Sequence, residues 1–348
     1  IPRCVHGSMR DDARRDRRPR PPIQGVTMKA AVVTGAGARP VHMEFDAPRA
    51  MPGHRLIDVT ASALSRIAQG RASGTHYSSD GRYPFVVGVD GVGRFDDGQR
   101  VYFFGAPAPF GAMAERTIVP DTRCVPLPDG LDDVTAAAIA IPGMSSWAAL
   151  TERARLVAGE TVLVNGATGT SGRLAVRIAK HLGAAIVIAT GRNAAALQAL
   201  LSAGADAVVS LQQDDVHLAR ALEPHFRAGV DVVLDYLWGS SAQTLLVAAA
   251  KATPDGRRLR FVQIGSIGGA DVLLPGAVLR ATAIELMGSG LGSVSMPRLL
   301  ASVRGVFDAA GEAGLTIDTR TVPLSAVGEH WGDANSVVRL VFTMGEGR

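Results

Sequence analysis

Short apolar runs separated by turn residues fill the first part of the chain. Between residues 28 and 142 these runs are flanked by Gly, Pro and Asp, which predicts β-strands at 30–34, 55–61, 91–95, 100–104 and 112–119. No long helical patterns alternate with them, as they would in half of a nucleotide-binding sheet. This stretch is therefore expected to form a separate, partly open β-barrel-like domain.

Longer helical patterns begin after Asp132, a residue type that commonly caps a helix N-terminus. The helix that follows is predicted to continue through 145–155. Further strands are predicted at 161–164, 185–190, 207–210, 231–236, 258–264 and 283–287, and further helices at 173–182, 194–202, 215–227, 241–251 and 296–310. This alternation predicts an α/β fold with a doubly wound parallel sheet, the Rossmann arrangement. Strands at 321–324 and 337–342 are expected to return to the first domain.

The predicted division places residues 28–145 and 311–348 in the β-rich domain and residues 146–310 in the Rossmann domain. Residues 1–27 fall outside both, because they are rich in Arg and Pro and lack apolar periodicity. They are interpreted as a disordered extension, an upstream mis-start or an expression remnant. Their seven Arg and three Asp account for the whole formal charge of +4, so the remainder is neutral and predicts no nucleic-acid partner.

Cysteine content and hydropathy indicate in which cellular compartment the protein is expected. The 348 residues include two cysteines, Cys4 and Cys124, so a disulfide framework is not expected and a reducing, cytoplasmic setting is predicted. No apolar run approaches the roughly 18 residues that a membrane span needs, so no membrane partner is expected. Residues 1–27 also lack the apolar segment of a secretory signal.

A glycine-rich stretch joins the predicted strand 161–164 to the predicted helix 173–182. Its glycines, Gly166, Gly169 and Gly172, recur every third residue. In a dinucleotide site the first would permit a sharp turn, the second would let the backbone approach a pyrophosphate, and the third would let the helix pack on the strand. The helix N-terminus would present N–H groups to the anion. The predicted cofactor-binding residues here are Gly166, Ala167, Gly169, Thr170, Ser171 and Gly172; the alternative is a glycine-rich turn without a ligand.

The end of the next strand indicates which nicotinamide cofactor is used. NAD sites usually carry an Asp or Glu roughly 20 residues beyond the glycines, where it binds the adenine ribose. This chain has no acidic residue between Gly183 and Ala205, and its strand ends in Gly191, Arg192 and Asn193. Arg192 is suited to pair with a 2′-phosphate, so these three residues are predicted to bind NADPH. The alternative is that Arg192 only begins a helix in solvent.

The order of motifs resembles that of the medium-chain dehydrogenase/reductase superfamily. The resemblance covers residues 28–344 and is carried by motifs such as Tyr83-Pro-Phe-Val-Val-Gly-Val-Asp-Gly-Val-Gly93, Gly98-Gln-Arg-Val101, Val125-Pro-Leu-Pro-Asp-Gly130, Asn165–Gly172 and Val262-Gln-Ile-Gly265. They are similar to the zinc-independent quinone oxidoreductase and enoyl reductase branch. The resemblance implies a GroES-like β-rich substrate domain, a Rossmann domain and a homodimer that pairs the strand at 283–287.

The sequence predicts no metal site. Zinc-dependent members of the superfamily have Gly-His-Glu where this chain has Gly88-Val-Asp90. A structural zinc would need four closely spaced cysteines, and the chain has two in total.

The resemblance also places residues around the nicotinamide. It implies that Ser145 lies beside the ring and that Ile264, Gly265 and Ser266 turn at the same end of the cofactor. Asp235 is predicted either to touch the cofactor or to cap the next helix.

The acceptor side departs from the family pattern. Relatives often read Asn-Pro-x-Asp followed by Tyr, whereas this chain reads Ser65-Arg-Ile-Ala68 and lacks that Tyr. Ser65 and Tyr77 are the predicted catalytic donors, and the other polar side chains in the same region are Arg66, His76 and Tyr83. Each of these residues could instead be a loop or packing residue.

The function predicted from the sequence is an NADPH-dependent, zinc-free reductase of a quinone or an α,β-unsaturated carbonyl. Hydride transfer needs no protein nucleophile, since the protein must align the acceptor and stabilise the developing oxyanion. One alternative is a carrier-linked enoyl reductase of a biosynthetic pathway. Another is a nucleotide-binding protein that has lost turnover.

Overall fold

The computed structural model describes residues 26–76, 79, 81–333 and 338–345. Most of the predicted N-terminal extension therefore lies outside the described residues. The first strand begins at Thr27, one residue earlier than the predicted boundary at Met28.

The N-terminal part of the chain is rich in β-structure, as predicted. Its elements are β1 (Thr27–Val33), β2 (Val41–Asp46), β3 (His54–Ala63), α1 (Arg66–Ser73), β4 (Phe85–Val86), β5 (Asp90–Arg94), β6 (Arg100–Phe104), β7 (Arg116–Pro120) and β8 (Cys124–Pro126). The predicted strand at 112–119 is wrong over its first half, because residues 112–114 belong to turns and only Ala114 makes an isolated bridge, with Ala30.

Strands and helices then alternate. The elements are α2 (Asp133–Ala148), β9 (Thr161–Asn165), α3 (Thr170–His181), β10 (Ile186–Gly191), α4 (Ala194–Ser202), β11 (Ala207–Ser210), α5 (Asp215–Ala228), β12 (Val232–Asp235), α6 (Gly239–Ala252), β13 (Leu259–Gln263), α7 (Gly276–Ala281), β14 (Ile284–Gly288) and α8 (Met296–Ala309). The last elements are β15 (Thr319–Pro323), α9 (Val327–His330) and β16 (Arg339–Thr343).

Six parallel strands form one sheet in the order β11-β10-β9-β12-β13-β14. The order runs outward in both directions from β9, so the carboxyl ends of β9, β10 and β12 meet at the point where the strand order reverses. The predicted α/β fold with a Rossmann sheet and a separate β-rich sheet system is confirmed.

The remaining strands form two largely antiparallel sheets. One has the order β2-β1-β4, and the other has the order β15-β16-β3-β5-β6-β8 with β7 also paired to β3. The C-terminal strand β16 pairs antiparallel with β3, with Val341 opposite Ala63. The chain therefore returns to the β-rich sheet after it leaves the parallel one, as the sequence predicts.

Helix α2 packs between the two sheet systems. It contacts β3 on one side and α3 and α8 on the other, and its side chains belong to one hydrophobic core that includes Val92 of the antiparallel sheet and Val164 of the parallel sheet. Asp132 caps its N-terminus by accepting a hydrogen bond from the N–H of Thr135 at 2.9 Å, as its residue type predicts.

A π-helical turn, Ala149–Ala154, extends α2. The continuous helix Asp133–Ala154 has 22 residues and a mean hydropathy of 1.3 over its most apolar window, and 72% of that window is buried inside the protein. It is the one helix of the described chain whose length and composition would allow it to cross a membrane. This helix was predicted from the sequence but was not identified as a possible span, because polar residues interrupt its apolar runs. Its burial is that of a core helix.

Candidate functional site

The glycine turn after β9 has the geometry that a nucleotide site requires. Gly166 has φ +87°, a conformation that side chains other than glycine's rarely adopt. A Cβ on Gly172 would lie 2.6 Å from Cα of Ala167, so only glycine lets α3 pack this closely on the turn. A Cβ on Gly169 would meet no heavy atom nearer than 3.7 Å. The space in front of Gly169 is therefore open, at the N-terminus of α3.

A chain of buried polar side chains holds the turn in place. The hydroxyl of Thr190 donates to Oδ1 of Asn165 at 2.7 Å, and Nδ2 of Asn165 donates to Oδ1 of Asp235 at 2.8 Å. The backbone N–H of Ala167 donates to the carbonyl of Thr190 at 2.7 Å, and that of Gly166 donates to its hydroxyl at 3.2 Å. Three neighbouring strand ends, those of β10, β9 and β12, are thus linked beneath the glycines.

Asp235 is fully engaged by protein donors. Besides Asn165, the backbone N–H groups of Leu237 and Trp238 donate to its carboxylate at 3.0 and 3.1 Å. Burial raises the pKa of Asp235, while these hydrogen bonds oppose the shift. The bonds shape the turn into α6, where Trp238 has φ +58°. Asp235 therefore holds the turn that precedes α6 and does not cap that helix, whose N-cap residue is Trp238.

The end of β10 carries the predicted specificity residues. Gly191 lies against the glycine turn, since a Cβ there would be 3.0 Å from Oγ1 of Thr168. Arg192 is exposed, and among the described residues no carboxylate pairs with it. Asn193 caps α4 by accepting a hydrogen bond from the N–H of Ala196 at 2.9 Å. The guanidinium of Arg192 thus stands free at the strand end nearest the turn.

Hydroxyl groups cluster where α2 approaches the turn. Ser145 donates from Oγ to the carbonyl of Pro142 at 2.9 Å. The hydroxyl of Ser146 lies 2.7 Å from that of Tyr236 and 3.3 Å from the carbonyl of Ser171. Burial raises the pKa of Tyr236, so its phenol remains protonated at neutral pH. This cluster joins α2, β12 and the first turn of α3.

The loop after β13 completes the rim of the parallel sheet. The N–H groups of Ile264 and Gly265 both donate to the carbonyl of Asp235, at 2.7 and 3.2 Å. Gly265 is required here, since a Cβ would lie 2.6 Å from the carbonyl oxygen of Tyr236. Ser266 is exposed. The structure therefore brings the three predicted residues to the same sheet edge as Asp235.

The structure describes one of the two predicted catalytic residues, Ser65. Ser65 is 2% exposed, and its Oγ accepts a hydrogen bond from the N–H of Ala68 at 3.1 Å, so it caps α1. Tyr77 lies outside the described residues. Tyr83 directs its hydroxyl towards the carbonyl of Ala72 at 3.4 Å.

A cavity opens beside α1 in the β-rich part. Its wall is formed by α1, the segment around β4, and the loop between β6 and β7. Val89, which stands at the histidine position of zinc-dependent relatives, is part of this wall. Across the described ranges, no three His, Cys, Asp or Glu side chains are grouped so that they could hold a metal ion.

Comparisons with known proteins agree with the geometry. A family model described as zinc-binding dehydrogenase matches residues 172–304. The probable NADPH-dependent quinone reductase tdiC of Emericella nidulans is 29% identical over 352 residues, which cover 89% of this chain and 98% of that protein. The quinone oxidoreductase of Thermus thermophilus, solved alone and with NADPH, has a TM-score of 0.75 at 24% identity over 91% of this chain and 100% of that chain, which shows the shared fold.

The chain is similar to the medium-chain dehydrogenase/reductase superfamily and, within it, to the NAD(P)-dependent oxidoreductases of the quinone oxidoreductase and enoyl reductase-like branch, as its motifs predicted. One relative is a much longer protein: a phenolphthiocerol/phthiocerol polyketide synthase of Mycobacterium tuberculosis is 34% identical over 221 residues, which cover 60% of this chain and 9% of the synthase.

Sequence reasoning missed the buried residues whose hydrogen bonds hold the glycine turn and α2 in place. Asn165, Thr190 and Ser146 are buried and make the hydrogen bonds that fix the glycine turn and α2. The available signal was a polar residue at the end of each apolar strand, since a buried polar side chain needs a partner. Which partner each one finds depends on the strand order.

Proposed function

We propose that this protein is a zinc-free, NADPH-dependent reductase that transfers hydride to a quinone or an α,β-unsaturated carbonyl. The observation that carries the proposal is the glycine turn, whose Gly169 leaves open space in front of the N-terminus of α3. A dinucleotide pyrophosphate fits that space, because the first N–H groups of a helix favour an anion. The names of the relatives support the reaction class.

NADPH is the proposed cofactor because of the charge at the end of β10. A 2′-phosphate needs a cation and is repelled by a carboxylate. Arg192 is exposed and unpaired among the described residues, and the sequence from Gly183 to Ala205 contains no acid. Gly191 and Asn193 would hold the adenine ribose edge beside it. The residues present thus fit a phosphorylated ribose better than a free one.

The nicotinamide end would lie against the cluster formed by α2, β12 and the loop after β13. Bound NADPH would supply a hydride, and the acceptor would also take up one proton, giving a hydroquinone or a saturated carbonyl. Ser145 and the loop Ile264–Gly265–Ser266 would orient the cofactor. The hydroxyl of Ser145 and the N–H groups of Ile264 and Gly265 make hydrogen bonds within the protein, so these residues are held in place before a cofactor binds. Ser65 and Tyr77 remain the candidate residues on the acceptor side.

The side chains at positions 89, 90 and 124 support the proposal that the enzyme is zinc-free. Zinc prefers Cys and His ligands in a shell of about four. Val89 presents a hydrocarbon at the position where zinc-dependent relatives have histidine, and its neighbour Asp90 is buried at 1% exposure. Cys124 is buried enough that its pKa rises to about 12, which disfavours the thiolate that zinc would need.

Carrier-linked enoyl reduction is the second candidate function. It is favoured by the similarity to a polyketide synthase, although the aligned region covers 9% of that protein. The same hydride chemistry would then act on an enoyl thioester attached to a pantetheine arm.

The test is NADPH consumption with matched acceptors. We expect turnover with a naphthoquinone or a simple enone, and a higher kcat/KM with NADPH than with NADH. Preference for a crotonyl thioester on a carrier protein over every free acceptor would favour the second candidate. Tight NADPH binding without turnover on any acceptor would contradict both reductase proposals and indicate a nucleotide-binding protein.

The organisation of the chain is proposed on the same grounds. We infer a substrate domain of residues 28–145 and 311–348, and a cofactor domain of residues 146–310. We also propose a homodimer through the edge strand β14 and a cytoplasmic setting. The paired edge is supported by Leu286, whose side chain is 36% exposed on a strand with one described neighbour.

A further inference from the structure

Arg71 stands out among the residues that line the cavity beside α1. It is half-buried and belongs to the last turn of α1. It is the one charged residue among the described residues of the cavity wall. No described carboxylate forms a salt bridge with it. A guanidinium that is partly withdrawn from water without an anionic partner is costly, and an anion that binds there would offset that cost.

Three aromatic residues, Tyr83, Phe85 and Phe110, are among the other residues of the wall. The rings of Tyr83 and Phe85 are tilted against each other with their centroids 5.5 Å apart. Aliphatic residues such as Val86 and Val89 and the polar Ser79 also line it. Such a wall favours a flat, aromatic or unsaturated ligand, because aromatic rings pack well against one another.

The neighbouring histidine does not duplicate the charge of Arg71. Burial, with a further contribution from the charge of Arg71, lowers the pKa of His76. His76 is therefore neutral at physiological pH, and Arg71 supplies the positive charge. Arg66, the other arginine of α1, is exposed, already interacts with other groups and is not part of the cavity wall among the described residues.

We propose that this cavity selects acceptors that combine an aromatic or conjugated ring system with an anionic substituent, and that Arg71 is the residue that recognises the anion. A quinone carrying a sulfonate, carboxylate or ionised hydroxyl group belongs to this class. The inference rests on the proposed reductase function, because it names the class of acceptor for that reaction.

The experiment compares two quinones that differ by one charge. Steady-state reduction of a naphthoquinone and of the same naphthoquinone bearing a sulfonate is measured for the wild type, Arg71→Gln and Arg71→Lys. We expect Arg71→Gln to lower kcat/KM for the sulfonated quinone about tenfold to hundredfold, through KM, since a charge-assisted hydrogen bond contributes on that scale. The neutral quinone should change less than twofold. Arg71→Lys should recover part of the preference.

A matched control and a binding measurement keep the outcomes distinct. Arg49→Gln removes the same charge from an exposed position outside the cavity wall and should leave both quinones unchanged. Calorimetric binding of an unreactive naphthalene sulfonate tests Arg71 without turnover. If the wild type reduces neither quinone but binds the sulfonate in an Arg71-dependent manner, the reductase proposal fails while the anion site stands.

Two results would overturn the proposal that Arg71 recognises the anion of an acceptor. One is equal loss of activity, or no loss, for both quinones in Arg71→Gln, together with unchanged binding of the sulfonate. The other result would show that the bound anion belongs to a carrier arm and not to the acceptor. If Arg71→Gln impairs a crotonyl coenzyme A but spares both the phosphate-free crotonyl thioester and the sulfonated quinone, the anion belongs to the phosphate of the arm.

Discussion

Replacing Gly172 by alanine tests whether the glycine turn is the cofactor site. The new Cβ would lie 2.6 Å from Cα of Ala167 and 2.9 Å from its carbonyl carbon. Carbon atoms normally approach to about 3.5 Å, so α3 and the turn must separate by about 1 Å. Neither group can give way easily, because Ala167 is hydrogen-bonded to Thr190 and α3 is packed in the core.

The displacement should weaken NADPH and lower stability together. A misplacement of about 1 Å in a positioned site costs about a hundredfold, so we expect a hundredfold rise in the Kd for NADPH. Overpacking of a well-packed core costs about 1–3 kcal/mol, which corresponds to a Tm lower by roughly 2–10 °C for a domain of this size. Cofactor fluorescence titration and thermal unfolding measure the two effects.

Two other glycines separate cofactor binding from folding. At Gly169, the N-cap of α3, the nearest atom to a new Cβ is 3.7 Å away, so Gly169→Ala should cost only about 1 kcal/mol of stability but fill the space before α3 and weaken NADPH about tenfold or more. At Gly311 a Cβ would meet nothing within 4 Å, so Gly311→Ala should change neither property. A Gly172→Ala variant that binds NADPH and unfolds like the wild type would refute the reasoning.

Three further predictions follow from charge and exposure. Arg192→Ala should raise the KM for NADPH about tenfold to hundredfold and leave that for NADH unchanged, whereas Arg227→Ala, exposed on α5, should affect neither; equal effects on both cofactors would contradict the 2′-phosphate assignment. Burial raises the pKa of Asp90 from 3.8 to about 7, although Arg339 opposes the shift, so the folded state holds its proton more tightly than the unfolded state and stability should fall as pH rises through that interval. Asp90→Asn should remove this fall in urea titrations at a series of pH values, and an unchanged slope would show that Asp90 is not its source. Leu286→Lys should convert the proposed dimer into monomers by light scattering, while Val216→Lys, 59% exposed on α5, should not; a Leu286→Lys variant that remains dimeric would place the interface elsewhere.

The sequence was most informative where a repeating pattern reports a backbone requirement. Strand, glycine turn and helix were predicted at the right place because Gly172 is needed for close packing and Leu174 and Ile178 mark the buried face of α3. Helix α1 was missed for the opposite reason. Only Ala68 and Ala72 of its eight residues are buried, so it carries no apolar stripe that a periodicity argument could find.

Contacts between strands could not be predicted from local pattern. Thr190, Asn165 and Asp235 each lie at the end of a strand, but their hydrogen bonds depend on β9 lying between β10 and β12. The same limit applies to Arg71, whose proposed role depends on the aromatic residues that line the same cavity and not on its own neighbours in sequence. The predicted site residues therefore lie mainly in the glycine motif, whose geometry depends on residues that are close together in the sequence.

The two sides of the site differ in how strongly the fold constrains them, and this difference bears on function. The cofactor side is built on the ends of central parallel strands and is fixed by a fully buried hydrogen-bond chain, so substitutions there should cost both binding and stability. The acceptor side is built on an eight-residue helix, a two-residue strand and loops. Such short elements can change without disturbing the parallel sheet. Ser65 is an example: it departs from the family pattern, and in the structure it serves as the N-cap of α1. Selectivity for the acceptor should therefore follow from Arg71 and the aromatic wall, and it should be alterable by substitutions that leave NADPH affinity unchanged.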